Sequence, residues 1–157
     1  MADSVNGRVF AALVFSVRGK RYAFEQRGPA TLLPWLQRYR SSSSAPGLPE
    51  WCLGLLNVRG AVQMVADLGH LLQEGRSEVA AGSRLIFIEH GTARLGLLVD
   101  EEIGVRYLRP GDPLAGQASP VFATGRAWLE TEDVTVLDGA AIIQHVAEEL
   151  RAPEYLA

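Results

Sequence analysis

The segment Pro46–Leu68, PGLPEWCLGLLNVRGAVQMVADL, decides how the rest of this chain is read. An apolar run from Cys52 to Val58 breaks at Arg59-Gly60 and resumes from Ala61 to Ala66, and Asp67 comes next. Two β-compatible runs separated by two residues predict a hairpin, and Gly60 can adopt the positive φ such a turn needs. Asp67 can accept hydrogen bonds from the free N–H groups of a helical turn after it, so the segment predicts strand, turn, strand, helix start. Arg59 then stands on the hairpin tip. A two-residue turn calls for glycine or asparagine, and nothing in its backbone calls for a guanidinium.

Working outward, Val9 to Val17 predicts a strand with partial alternation, Arg18-Gly19-Lys20 its turn, and Arg21 to Phe24 the returning strand. Gly28-Pro29 and Pro34 interrupt regular structure between Gln26 and Tyr39, and Thr31 to Tyr39 reads as one or two helical turns. Ser41 to Ser44 reads as a loop, and a short helix is expected from Asp67 to Gln73. The polar stretch Glu74 to Gly82 reads as a joint between two halves. Arg84 to Glu89, Arg94 to Val99 and Asp100 to Tyr107 predict three more strands, with an irregularity at Glu101-Glu102. Arg109 to Pro120 is a Gly- and Pro-containing loop. Ala127 to Glu130 and Val134 to Leu137 form a last hairpin, turned at Thr131-Glu132-Asp133. Ala140 to Arg151 is the clearest helix, with Ile142, Ile143, Val146 and Leu150 on one stripe and Asp138 or Gly139 at its start. Strands joined as hairpins place the chain in the antiparallel, barrel-like class.

The order P-x-x-P-x-W, apolar run, N-x-R-G, apolar run, D-L resembles the signature of CheW-like domains, the coupling proteins of bacterial chemotaxis arrays. The likeness returns in Gly96-Leu97-Leu98-Val99-Asp100, matching G-x-x-V-D, and in Val134 to Asp138 with a helix after it. The resemblance implies one domain over residues 1–157. Its fold would be mainly β: two small packed five-stranded antiparallel barrels, with halves at roughly 8–73 and 83–138, a short helix, and a C-terminal helix over 140–151. It implies a non-enzymatic adaptor that joins a CheA-type histidine kinase regulatory domain to a chemoreceptor tip or to a type IV pilus chemosensory system. Asn57, Arg59 and Gly60 would sit at the partner surface, supported by a core of Leu53, Leu55, Val62 and Val65.

Composition fits such a role. The chain has 157 residues, 48% of them hydrophobic, and a net charge of −3, which is a poor match for general nucleic-acid binding. A single cysteine, Cys52, precludes an internal disulfide and suits the reducing cytoplasm. No apolar run reaches the ~20 residues that a membrane-spanning helix requires. The first residues, MADSVNGR, show no secretory signal pattern.

Catalytic signatures are missing. His70, His90 and His145 are widely spaced, and the sequence holds no H-E-x-x-H, no G-x-S-x-G elbow and no G-x-G-x-x-G loop. Glu101 and Glu102 are neighbours in a strand and point to opposite faces. No cofactor or metal is expected. Cys52 is expected to be a buried small hydrophobe. Trp35, Tyr39 and Trp51 lie near loops, as core lids or as contact residues. Departures from the family pattern cluster at Pro29, Thr31, Gln63 and Met64, and Glu102 stands where a valine is usual. Thr31 replaces an acidic residue that would partner Arg59. These departures favour a diverged CheW-like module with other partners as the second reading. A small β-barrel enzyme or ligand carrier is the third.

Overall fold

The computed structural model describes residues 8–38, 47–111 and 121–151, with backbone alone for 33–38. Its strands are β1 (Phe10–Val17), β2 (Lys20–Glu25), β3 (Thr31–Arg38), β4 (Cys52–Val58) and β5 (Ala61–Asp67), and the short helix α1 (Leu68–Leu71) closes this part of the chain. Then come β6 (Arg84–His90), β7 (Ala93–Val99), β8 (Glu101–Pro110), β9 (Ala123–Leu129), β10 (Glu132–Leu137) and helix α2 (Gly139–Leu150). Among the described residues the protein is mainly β, with two five-stranded sheets and two helices.

The first sheet runs β1-β2-β10-β9-β8 and closes on itself, because β8 pairs with both β1 and β9. The second runs β3-β6-β7-β5-β4. The expected antiparallel pair of barrels is corrected in two respects. Each sheet contains one parallel pair, β10 with β2 and β5 with β7. The second sheet, among the described residues, ends at β3 and β4 without a pairing between them. The expected division at 8–73 and 83–138 does not match the sheets either. β1 and β2 leave the N-terminal part of the chain to join β8, β9 and β10, so the first sheet is assembled from both ends. Strands joined in hairpins say nothing of which hairpin lies beside which, and that choice is made by long-range packing.

Thr31–Arg38 is a strand, not helical turns. Its register against β6 is interrupted between Leu32 and Leu36, and Pro34, which has no N–H to donate, falls in that gap. Tyr39 and Ser41 to Ser44 lie outside the described residues, as do residues 112–120 of the expected long loop. The last hairpin starts earlier than expected, at Ala123, and turns on Glu130-Thr131. α1 is a single turn that ends at Leu71.

Among the described residues three clusters make the core. Ala12, Val14, Ala23, Leu108, Ala127, Val134 and Val136 fill the first sheet. Val58, Val65, Leu85, Phe87 and Leu98 form a smaller cluster in the second. The largest cluster lies between the sheets and the helices. Leu13, Phe15 and Val17 enter it from β1, Ile86 and Ile88 from β6, and Ile142, Ile143 and Val146 from α2. β1 alternates between two cores, so both its faces are buried and its sequence shows only partial alternation. The α2 stripe is seated as expected, with Leu150 half-buried at its end.

Acidic caps tie helices to strands. Asp67 accepts from the N–H of His70 at 3.4 Å and from that of Ser77 at 2.9 Å, and it is buried. Asp138 accepts from Ala141 N–H at 3.0 Å. Asp100 accepts from Arg18 N–H at 2.7 Å and so fastens the β1–β2 turn.

Candidate functional site

The β4–β5 hairpin turns on Arg59 and Gly60, with φ of 54° and 85°. Two left-handed residues in a two-residue loop suit the right-handed twist of the flanking strands. Gly60 takes this conformation freely, whereas for an L-residue such as arginine it is strained. The Asn57 side chain locks the turn: its Oδ1 accepts from Gly60 N–H at 3.0 Å. Arg59 is exposed at the tip. Of the three expected contact residues, Asn57 and Gly60 therefore serve the turn, and Arg59 is displayed by it. Arg18-Gly19 repeats the geometry with φ of 52° and 81°, and there the guanidinium folds back, its Nη1 donating to Arg76 carbonyl at 3.3 Å.

The expected supporting core splits in two. Val65 is fully buried, and Leu53 is half-buried against the same small cluster. Leu55 and Val62 are 42% and 65% exposed, which corrects their placement in the core. The pleat explains it: Leu55 pairs with Met64 and Asn57 with Val62, so these side chains share the face opposite to Val58 and Val65. A register shift between Cys52 and Gly54 breaks the simple alternation along β4, and such an irregularity is not legible in an apolar run.

Beside Val62 lies a shallow groove of about 590 Å³, lined by Gln63, Met64, Glu89, Thr92 and Arg94 among others. Glu89 and Arg94 pair across it at 2.6 Å. A second hollow of about 380 Å³ is lined by Arg18, Glu78, Ser83 and Asp100. Ser83 serves the backbone there, its Oγ accepting from Ala80 N–H at 2.8 Å. On the first sheet, β8 exposes Val105 and Tyr107, and Val9 is exposed just before β1. This outward apolar row was not among the expected contact residues, although the alternation of Val105 and Tyr107 along β8 is its signal in the sequence.

The remaining candidates are structural. Trp51 is buried and its Nε1 donates to Glu149 Oε1 at 2.9 Å, tying α2 to the start of β4. The side chain of Trp35 and all of Tyr39 lie outside the described residues. Cys52 is half-buried where full burial was expected. Burial pushes its thiol up, and a backbone hydrogen bond with Gly54 pulls the other way. Tyr22 is pushed up to about 12 by burial first, then by the nearby Glu74 carboxylate that its hydroxyl meets at 3.3 Å. His70 lies 3.5 Å from Glu50, His90 Nδ1 lies 3.2 Å from the Pro29 carbonyl, and His145 lies 2.6 Å from Glu149. The three are on separate elements, and no group of three metal-ligating side chains gathers among the described residues.

A sequence model of the CheW-like domain matches residues 11–147. The chain belongs to the CheW-like domain family. This is a family of adaptor domains in chemotaxis signalling. Over 89 residues the chain is 30% identical to Chemotaxis protein CheW of Bacillus subtilis, an alignment covering 57% of this chain and 54% of that protein. Over 78 residues it is 33% identical to Protein PilI of Pseudomonas aeruginosa, covering 50% and 43%. The chain thus spans about half the length of the curated relatives it matches. Its fold is that of the scaffolding protein TtCheW from Thermoanaerobacter tengcongensis, with a TM-score of 0.69 over 83% of this chain and 90% of that one at 22% identity. Among the described residues no helix is long and apolar enough to cross a membrane.

Proposed function

We propose that this CheW-like chain is a non-enzymatic cytoplasmic adaptor that joins a CheA-type histidine kinase to a chemoreceptor or to a type IV pilus chemosensory system. The observation that carries the reading is the β4–β5 tip, where Arg59 is held exposed in a left-handed conformation that asparagine or glycine would take with less strain. An arginine retained there suits bidentate contact with a partner carboxylate. The kinase's regulatory domain meets this hairpin, and the receptor's helical tip docks on a separate apolar surface. The outward apolar row of Val105 and Tyr107 supports that second contact, because helix-in-groove docking needs exposed apolar side chains.

A diverged module with other partners is the second reading. The Thr31 departure favours it. By resemblance this position holds an acidic residue, and here it is Thr31, which pairs with Glu89 across β3–β6. The test is calorimetry of the purified chain, at micromolar concentration, against the regulatory domain of the same organism's CheA-type kinase and against a receptor-tip fragment. Binding to both supports the adaptor. No heat and no co-elution with either would leave the diverged module.

A further inference from the structure

The β4–β5 and β9–β10 hairpins are copies of one design. One constant offset in sequence carries Trp51 onto Phe122, Gly54 onto Gly125, Arg59 onto Glu130 and Asp67 onto Asp138. The cross-strand register keeps to the same offset: Leu55 opposite Met64 and Asn57 opposite Val62 in one, Arg126 opposite Thr135 and Trp128 opposite Asp133 in the other. The register shift falls at the matching step of both. In each, the N–H of the capping aspartate donates at 2.8 Å to the carbonyl of the residue before the first strand, Trp51 or Phe122. Arg59 and Glu130 are both left-handed, with φ of 54° and 56°. Two ladders this alike allow corresponding side chains to be compared; the hairpins differ at the second turn residue, left-handed at Gly60 and not at Thr131, and β4 ends its sheet whereas β9 and β10 are both flanked.

The outer faces differ. On β9–β10 the diagonal neighbours Arg126 and Asp133 form an ion pair. On β4–β5 the same diagonal holds Leu55 and Val62, both exposed. A position that folds well with an ion pair has no folding need for two aliphatic side chains in water. Val62 borders the groove over Met64, in which Glu89 and Arg94 pair with each other. The charge at the end of this face is the Arg59 guanidinium, whereas the sister hairpin ends on the Glu130 carboxylate.

We infer that the outer face of β4–β5 is a heterotypic docking face. Its occupant is a protein surface that lays an apolar side chain against Leu55, Val62 and the groove and sets a carboxylate against Arg59. The inference rests on the adaptor reading and locates its specificity in Leu55 and Val62. The sister hairpin of a second copy is not the occupant, because it would press the Arg126–Asp133 ion pair onto the aliphatic side chains, and desolvating charges against aliphatics is unfavourable.

The test grafts the sister's pair onto this hairpin. The double substitution Leu55→Arg with Val62→Asp, in the full chain, copies an arrangement that the molecule already folds. The reverse graft, Arg126→Leu with Asp133→Val, is the control, and Val62→Ser serves if the first graft folds poorly. The probe is the regulatory domain of the same organism's CheA-type kinase, titrated by calorimetry, with melting temperatures alongside. The β4–β5 graft, or Val62→Ser, is expected to keep its melting temperature and weaken binding at least tenfold, while the β9–β10 graft binds as the wild type does. Equal binding by wild type and β4–β5 graft would overturn this inference and leave the adaptor reading standing. A wild type that fails to bind the probe would overturn both. Concentration-dependent dimerisation of the wild type that the β4–β5 graft abolishes would also overturn it, by making the occupant a second copy.

Discussion

Arg59→Asn separates what the hairpin needs from what a partner needs. Arg59 has φ of 54° and precedes Gly60 at 85°, the pair of left-handed residues for which Asn-Gly is the favoured filling. A left-handed conformation costs an ordinary L-residue roughly 1–2 kcal/mol, and asparagine recovers part of that through local hydrogen bonding. Recovering about half gives a stability gain of roughly 0.5–1 kcal/mol, or ~1–4 °C in melting temperature for a chain of this size. The Asn57 Oδ1 to Gly60 N–H bond involves neither atom of the changed side chain and is retained. Binding moves the other way. Losing an arginine that anchors an interface weakens a complex by ~1–2 kcal/mol or more, about five- to thirtyfold. The assays are thermal unfolding and calorimetry against the kinase regulatory domain. A variant that melts lower by ~1 kcal/mol or more and binds unchanged would refute the reasoning, since the guanidinium would then serve the fold.

The same geometry sets three further outcomes. Asp67→Ala loses a cap and leaves the buried Ser77 N–H without its acceptor, so it should destabilise by ~2–4 kcal/mol, against ~1 for Asp138→Ala; urea unfolding that ranks the two the other way would contradict this. The folded Tyr22 hydroxyl titrates near 12 rather than 10, so the unfolded chain releases its proton first as pH rises. Stability should therefore fall through that window, by on the order of 2 kcal/mol, and Tyr22→Phe should flatten this part of the fall, measured as the difference between the two proteins' unfolding curves. Cys52 should react with a thiol reagent at neutral pH more slowly than a free cysteine, because the strand half-covers it and burial raises its thiol, and labelling at the rate of the unfolded chain would show the site open.

What the sequence settled by itself was local. Gly60 and Asp67 announced a turn and a cap because each does its work within a few residues, and α2 announced itself by a stripe at helical spacing. Family membership was legible in N-x-R-G and V-D for the same reason: these are a turn and a turn acceptor, fixed by hydrogen bonds to a turn backbone. The tertiary structure decided the rest. Thr31–Arg38 is a strand because β6 offers it a ladder to join, and Pro34 is accommodated where that ladder is interrupted. β1 and β2 cross to the far end of the chain because their second face has to be buried, and residues nearby in sequence do not bury it. Leu55 and Val62 look like core in a run of apolar letters. They face water because the pleat and a one-residue register shift set which side of β4 and β5 meets the small cluster around Val65. Hydrophobicity is written in the sequence, whereas the face that receives it depends on register, and register is fixed only when the sheets pack.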